Sequence, residues 1–152
     1  MSLINTNIVG ILFFTGILPL MNDTIFGKII RKEIPATIVY EDDRCLAFMD
    51  INPQSKGHVL LIPKEQVGRI EFVPTELLNY LMHKVQEIII AIKKGVGCDY
   101  VQIEMVGKGV PDHFHIHLIP RMEVDEIPES PYKKYSEGEA QNFAHKITSA
   151  LG

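Results

Sequence analysis

The sequence predicts an α+β domain built on a largely antiparallel sheet of five strands, with a short N-terminal helix and one long helix. Three observations support this. Five short stretches have the apolar or alternating character of strands, a single long helical stripe lies between the third and the fourth, and hairpin-like turns link neighbours. The 152 residues, of which 46% are hydrophobic and 22% charged, suit one ordinary globular domain.

The N-terminal 22 residues carry no charged side chain and include a mostly apolar run at residues 8–20. A helix that spans a bilayer needs about 20 apolar residues, and a signal peptide begins with basic residues. We therefore expect residues 1–22 to be an extension outside the fold. The alternatives are a membrane-associating leader and a segment packed on the domain. The domain itself is predicted at 23–122, followed by a connector and a helix at 123–152.

Asp23 or Thr24 can cap a first helix over residues 25–32, which ends before Pro35 because the residue preceding a proline avoids the helical region. Strands at 37–41 and 45–50 follow. Two aspartates between them make a turn, so the pair is predicted to be a hairpin.

A turn-rich loop over residues 50–57 leads to a third, apolar strand at 58–63. The long helix is predicted over residues 75–94 and ends at Gly95. Its apolar side chains recur at three- and four-residue steps: Leu77, Leu78, Leu81, Met82, Val85, Ile88, Ile89 and Ile92. Because this stripe is wide for a helix on one sheet, part of it could face a second subunit.

The last two strands are predicted at 100–105 and 113–120, separated by a tight loop. An acidic connector follows. Ser136 and Glu139 then form a capping box that opens a terminal helix to about Leu151.

The charge and the cysteines limit the classes of partner and compartment. A net charge of −4 gives no broad basic surface, which argues against a nucleic-acid partner but allows a small anionic ligand in a local pocket. Cys45 and Cys98 lie far apart and outside any C-x-x-C pattern. We expect buried free thiols and a reducing compartment, the cytoplasm or also the nucleus.

Three of the six histidines fall within five residues, at His113, His115 and His117. Because side chains alternate along a strand, these histidines share one face while the apolar residues between them enter the core. Two kinds of site fit the spacing. One is a metal site, since histidines two apart can ligate zinc from one face. The other is a phosphate site, in which one imidazole attacks phosphorus and the others donate hydrogen bonds.

The surroundings favour the phosphate site, without a metal or other cofactor. A glycine-containing loop at 107–111 precedes the histidines and can bring backbone N–H groups close to an anion. His58 opens the third strand and can reach the same face, and no H-E-x-x-H accompanies the histidines. Asp50, where a strand leaves the sheet, can accept both hydroxyls of a ribose. An aspartate that only caps its loop is the alternative.

Residues 113–119 have the sequence H-F-H-I-H-L-I, which matches the signature of the histidine-triad family. Residues 23–35 and 40–48 resemble its Hint branch in particular, the histidine triad nucleotide-binding proteins, which are purine nucleoside phosphoramidases. The resemblance covers about residues 23–121. It implies a HIT-like fold and a homodimer formed through the long helix and strand 100–105.

The resemblance also implies a role for each matching residue. His115 would form a nucleotidyl-histidine intermediate, His117 would contact the α-phosphate, and His113 would orient His115. His58 would lie near the leaving group, and Asp50 would hold the ribose. The residues implied around the base and the phosphate are Phe26, Ile30, Phe48, Ile51, Gly109 and Val110.

The sequence departs from the family at two places. Thr24, Gly27 and Gln66 stand where some branches carry two cysteines and a histidine on zinc, so no structural zinc is expected. The loop at 105–112 is shorter than in Hint proteins and lacks the asparagine, glutamine and serine found there, of which the glutamine and the serine are thought to help the leaving group depart.

Three hypotheses follow: a purine nucleoside phosphoramidase, a hydrolase of dinucleoside polyphosphates, and a nucleotide-binding scaffold with weak activity. The expected small-molecule partner is a purine mononucleotide or nucleoside phosphoramidate. Neither a nucleic acid nor a membrane is expected as a partner.

Overall fold

The computed structural model describes residues 23–106, 112–125 and 132–152. The predictions for residues 1–22 and for the loop at 107–111 lie outside these residues. The described elements are α1 (Ile25–Ile30), β1 (Ile38–Glu41), β2 (Cys45–Met49), β3 (Val59–Pro63), α2 (Thr75–Val96), β4 (Tyr100–Glu104), β5 (Ile116–Arg121) and α3 (Glu139–Thr148). A short 3-10 turn, Ile70–Phe72, precedes α2 and was not predicted. The α+β prediction and its five strands are confirmed.

The five strands form one sheet in the order β1-β2-β3-β5-β4, and every neighbouring pair is antiparallel. The last strand in the chain is therefore not at an edge, because it inserts between β3 and β4. This topology places the histidine-bearing strand inside the sheet and leaves β1 and β4 as its two edges.

The sheet buries apolar side chains on both faces. On one face, helices α2 and α3 cover the main core, which includes Leu61, Ile116 and Leu118. On the other face, α1 covers a smaller cluster: Phe26, Leu46, Phe48, Leu60 and Ile62. Both cysteines are buried and free, as expected. Among the described helices, none has the length and apolar character that crossing a membrane requires.

Helix α2 does not end at Gly95, as predicted, but at Val96. Gly97 ends it by taking a left-handed conformation, with φ of 78°. Gly95 serves a different purpose, since a Cβ there would lie 2.5 Å from the Lys146 carbonyl oxygen. The absence of a side chain at Gly95 lets α3 pack closely on α2.

This packing explains why the apolar stripe of α2 is wide. The helix buries Leu77, Leu81, Val85 and Ile88, and contacts both the sheet and α3 of its own chain. Helix α3 ends at Thr148 rather than Leu151 and begins after Gly138. The predicted capping box is present in part, because the Glu139 carboxylate accepts the Ser136 backbone N–H at 2.8 Å.

Candidate active site

A cavity of about 530 Å³ opens on the α1 face of the sheet. Its volume lies in the range of roughly 300–1,000 Å³ that is common for small-molecule sites. Seven of the residues predicted for the site line this cavity: Phe26, Phe48, Asp50, Ile51, His58, His115 and His117. The structure therefore brings together residues from α1, β2, the loop after β2, and β5.

The histidine-bearing segment begins its sheet pairing later than predicted. Strand β5 starts at Ile116, because its pairing with β3 begins only where Ile116 faces Leu61. His113 and His115 lie just before the strand, where the Phe114 backbone N–H donates to the Val67 carbonyl. The predicted alternation is nevertheless confirmed, since Phe114 and Ile116 belong to the core on the α2 face.

The hydrogen bonds of His115 determine which of its nitrogens is free to react. Its Nδ1 lies 3.0 Å from the carbonyl oxygen of His113. Because a carbonyl only accepts hydrogen bonds, Nδ1 carries the proton and donates it. In the neutral ring, Nε2 is then the nitrogen with the lone pair. The ring is 5% exposed and lines the cavity.

His113 lies behind His115 and does not line the cavity. It is 1% exposed, and its Nε2 donates to the Pro63 carbonyl oxygen at 2.9 Å. Its Nδ1 is then an acceptor, and the Thr24 hydroxyl donates a hydrogen bond to it at 3.1 Å. Since the carbonyl oxygen of His113 accepts the hydrogen bond of His115 Nδ1, this anchoring fixes the position of the His115 ring.

His58 and His117 form a second hydrogen-bonded chain. The Gln54 backbone N–H donates to Nδ1 of His58 at 3.2 Å, which leaves the proton of the neutral ring on Nε2. That nitrogen lies 3.0 Å from Nδ1 of His117 and donates to it. The remaining proton of His117 is therefore on Nε2, so the ring offers an N–H donor with its outward nitrogen.

Burial keeps these rings uncharged near neutral pH. Removal from water disfavours the imidazolium form and lowers the pKa of His58 to about 3. The same effect lowers the pKa of His117 to about 4, and burial also lowers the pKa of His113. Of these three rings, His117 has an N–H that is not used among the described residues, so an anion in the cavity would meet this donor rather than a fixed positive charge.

Asp50 stands at the end of β2, where the chain leaves the sheet. Its backbone N–H donates to the His58 carbonyl oxygen at 3.0 Å and closes the loop between them. One carboxylate oxygen accepts the Asn52 backbone N–H at 2.9 Å. The other lies 3.7 Å from Nδ1 of His58. Burial raises the pKa of the Asp50 carboxyl. Asp50 thus both shapes its loop and faces the cavity.

Asp50, His58 and His117 offer three potential metal-ligand atoms within 4.8 Å of one another. Both Nδ1 atoms, however, already accept hydrogen bonds, from Gln54 and from His58. Thr24 and Gly27, which stand where some histidine-triad branches carry zinc-binding cysteines, do not fit a zinc ion either. Gly27 has no side chain, and the Thr24 hydroxyl accepts the Gly27 backbone N–H at 2.9 Å.

Four predicted residues are not in the described lining: His113, which lies behind His115, and Ile30, Gly109 and Val110. Ile30 packs beside the smaller core cluster, and Ile25 and Ile29, four residues apart on the same side of α1, line the cavity where Ile30 was expected. Gly109 and Val110 lie outside the described residues. The sequence interpretation also missed several polar lining residues: Asn52, Gln54, Glu104 and Tyr132. Asn52 and Gln54 could have been found, because both belong to the turn-rich loop at residues 50–57 that follows Asp50.

Comparison with known proteins agrees with this geometry. The HIT domain family model matches residues 31–124. An uncharacterised HIT-like protein of Synechocystis is 46% identical over 103 residues, which cover 64% of this chain and 89% of that protein. The adenylylsulfatase HINT3 of Arabidopsis thaliana is 43% identical over 111 residues, which cover 70% of this chain and 56% of that protein.

Among solved structures, a Hit-like protein involved in cell-cycle regulation from Bartonella henselae, determined with an unknown ligand, superimposes with a TM-score of 0.79 at 39% identity. The match covers 86% of this chain and 97% of the other. The family model spans more than half of the sequence, and the fold is shared along almost the whole of a solved relative. The chain belongs to the HIT domain family.

Proposed function

We propose that this protein hydrolyses purine nucleoside phosphoramidates at the α-phosphate, through an intermediate in which the nucleotide is bonded to His115. One observation carries the proposal. Nδ1 of His115 donates to the His113 carbonyl, so the lone pair is on Nε2 of a ring that lines the cavity. A neutral imidazole held in this tautomer is a competent nucleophile.

The two ends of the cavity suit the two ends of a nucleotide. The rings of Phe26 and Phe48 lie 5.6 Å apart and make an apolar wall for a base. Phe26 also contacts the His115 ring at 5.2 Å, so the base site lies beside the nucleophile. Asp50, with a carboxylate oxygen facing the cavity, is the proposed acceptor for the ribose hydroxyls.

The proposed reaction has two displacements. Nε2 of His115 forms a bond to phosphorus while the phosphorus–nitrogen bond breaks, and the amine leaves with the electron pair. Water then attacks phosphorus, and the electron pair of the P–Nε2 bond returns to His115. Over both steps the hydroxyl of the water remains on phosphorus and its other proton ends on the amine. The Nε2–H of His117 is the proposed donor to a phosphoryl oxygen, since His117 lines the cavity and its Nδ1 accepts from His58.

The test is a comparison of the His115→Ala variant with the wild-type protein on an adenosine phosphoramidate. We expect kcat/KM to fall by at least about a thousandfold, as when other covalent nucleophiles are removed. His83→Ala, which changes an exposed histidine of α2, is the matched control and should retain wild-type activity. Equal rates for wild type and His115→Ala would refute the proposed nucleophile.

A second candidate is the hydrolysis of a nucleoside phosphosulfate, because the Arabidopsis relative is an adenylylsulfatase. The same intermediate at His115 serves both reactions, since only the group that leaves phosphorus differs. Measuring adenosine phosphosulfate, a diadenosine polyphosphate and the phosphoramidate side by side distinguishes the candidates. Nucleotide affinity without turnover of any of them would identify a scaffold.

We also propose that the protein is a homodimer joined through β4 and α2. Strand β4 is an edge of the sheet, and Ile103 in it is 41% exposed. Ile90 on α2 is 66% exposed, although its neighbours Ile88, Ala91 and Ile92 are buried. An exposed edge strand and an exposed isoleucine on the helix are features that pairing with a second copy would cover.

A further inference from the structure

A row of directly opposed residues crosses four strands on the cavity face of the sheet. Phe48 of β2 faces Leu60 of β3, Leu60 faces His117 of β5, and His117 faces Glu104 of β4. Opposed residues in antiparallel strands project to the same side, with Cβ atoms about 5 Å apart. The row thus passes from apolar side chains, through the histidine, to a carboxylate at the sheet edge.

Glu104 is held in place by a ring of hydrogen bonds. Its two carboxylate oxygens accept from Nε2 of Gln54 at 3.1 Å and from Nε2 of Gln102 at 2.6 Å. The amide oxygens of the same two glutamines accept from Nη2 and Nε of Arg121 at 2.9 and 2.8 Å. Arg121 is 1% exposed. The buried guanidinium therefore orients both amides so that their N–H groups point to Glu104.

The carboxylate still has capacity for a ligand. An ionised carboxylate offers about four lone-pair positions, and the two glutamines use one on each oxygen. Glu104 lines the cavity, whereas Arg121 and Gln102 do not. Among the cavity-lining residues that the structure describes, the formally charged ones are Asp50 and Glu104, with no lysine or arginine. At the cavity end beyond His117, the charged group that faces the cavity is therefore the Glu104 carboxylate, while the Arg121 guanidinium lies behind the two glutamines.

We propose that Glu104 selects the leaving group by its charge, and that the preferred substrates carry a cationic group on the amine. The inference rests on the proposed function. With the base against Phe48 and Leu60 and the phosphate at His117, the group beyond the phosphate extends toward the β4 edge. A leaving group that ends in an ammonium pairs with Glu104 there. A sulfate, polyphosphate or carboxylate in the same place is repelled.

The experiment uses three adenosine phosphoramidates whose amines have the same chain length and end in an ammonium, a methyl or a carboxylate. For the wild-type protein we expect kcat/KM to fall by about fivefold at each step along this series, as for an ion pair at a partly exposed site. In Glu104→Gln the three values should come within about twofold of one another. Glu104→Asp keeps the charge and should retain the order.

Glu76→Gln is the matched control, because it removes the same charge from a side chain of α2 that is 87% exposed, and it should leave the order unchanged. Circular dichroism of each variant verifies the fold. Equal values for the three compounds in the wild-type protein, or an unchanged order in Glu104→Gln, would overturn the inference while leaving the phosphoramidase proposal intact.

The proposed function can fail separately. If none of the compounds is hydrolysed, calorimetry can measure the dissociation constants of the three compounds. These are then compared between the wild-type protein and Glu104→Gln in place of kcat/KM. Tighter binding of the ammonium compound that is lost in Glu104→Gln supports charge selection by the cavity without the reaction. Equal affinities overturn it.

Discussion

Replacing Thr24 with valine removes one hydroxyl that links the first helix to the histidine segment. This hydroxyl accepts the Gly27 backbone N–H at 2.9 Å and caps α1. It also donates to Nδ1 of His113 at 3.1 Å. Thr24 is 8% exposed and His113 1% exposed, so water does not readily replace either hydrogen bond. Valine has nearly the same shape, and the substitution therefore tests the hydroxyl rather than the packing.

The loss of stability can be worked out from these two bonds. Removing a helix cap costs about 1 kcal/mol. Leaving the buried Nδ1 of His113 without a donor costs roughly 1–3 kcal/mol. We therefore expect the free energy of unfolding to fall by about 2–4 kcal/mol, a large part of the roughly 5–15 kcal/mol that stabilises a typical domain. The Tm should fall by roughly 10 °C.

Urea denaturation of the wild type, Thr24→Val and Thr24→Ser measures this difference directly. Serine retains the hydroxyl, so Thr24→Ser should remain within about 1 kcal/mol of the wild type. Because His113 positions His115, Thr24→Val should also lower kcat on a phosphoramidate more than it changes KM. If Thr24→Val unfolds within 0.5 kcal/mol of wild type, the hydroxyl does not link the two segments as the structure indicates.

Two further predictions concern pH and assembly. Burial lowers the pKa of His58, His113 and His117 below the ordinary 6.5, so the unfolded chain takes up protons that the native protein does not. The contribution of these histidines to the free energy of unfolding should be fully present above pH 6.5 and be lost toward pH 4, by up to about 1.4 kcal/mol per pH unit for each histidine. The raised pKa of Asp50 has the opposite effect, since the folded protein then binds a proton more tightly than the unfolded chain. Equal urea midpoints at pH 7 and pH 5 would contradict this. In sedimentation equilibrium, the wild type should be a dimer and Ile90→Glu a monomer. Ile38→Glu, which changes the opposite edge of the sheet, is the control and should remain dimeric. A monomeric wild type would exclude the proposed dimer.

The parts of the site that could be predicted from the sequence depend on short-range geometry. The alternation of histidine and apolar residues over 113–118 assigns the histidines to one face whatever surrounds them. The turn-rich loop at residues 50–57 likewise predicts that Asp50 stands where a strand leaves the sheet. Both predictions needed only the local repeat of a strand and the residues that end it.

Contacts between distant residues could not be predicted in this way. Thr24 and His113 are 89 residues apart, and nothing in either segment specifies the other. The two glycines near the end of α2 were confused for the same reason, since the role of Gly95 depends on the carbonyl of Lys146 in α3. The start of β5 was placed three residues early because pairing with β3, and not apolar character, decides where the strand begins.

The difference between local patterns, which the sequence predicts, and contacts between distant residues, which it does not, has a consequence for function within the family. The proposed nucleophile His115 and its neighbours occupy one short segment of sequence, so a family signature transfers them together from one member to another. Glu104 reaches the cavity through the register between β4 and β5, and its ring depends on Gln54 and Arg121, 67 residues apart. A signature centred on the histidines contains none of the three residues. Members that share the triad histidines are therefore expected to differ in the group they release. Exchanging Glu104 for the residue that a relative carries at the same place in β4 should change the leaving-group preference without affecting the proposed intermediate at His115.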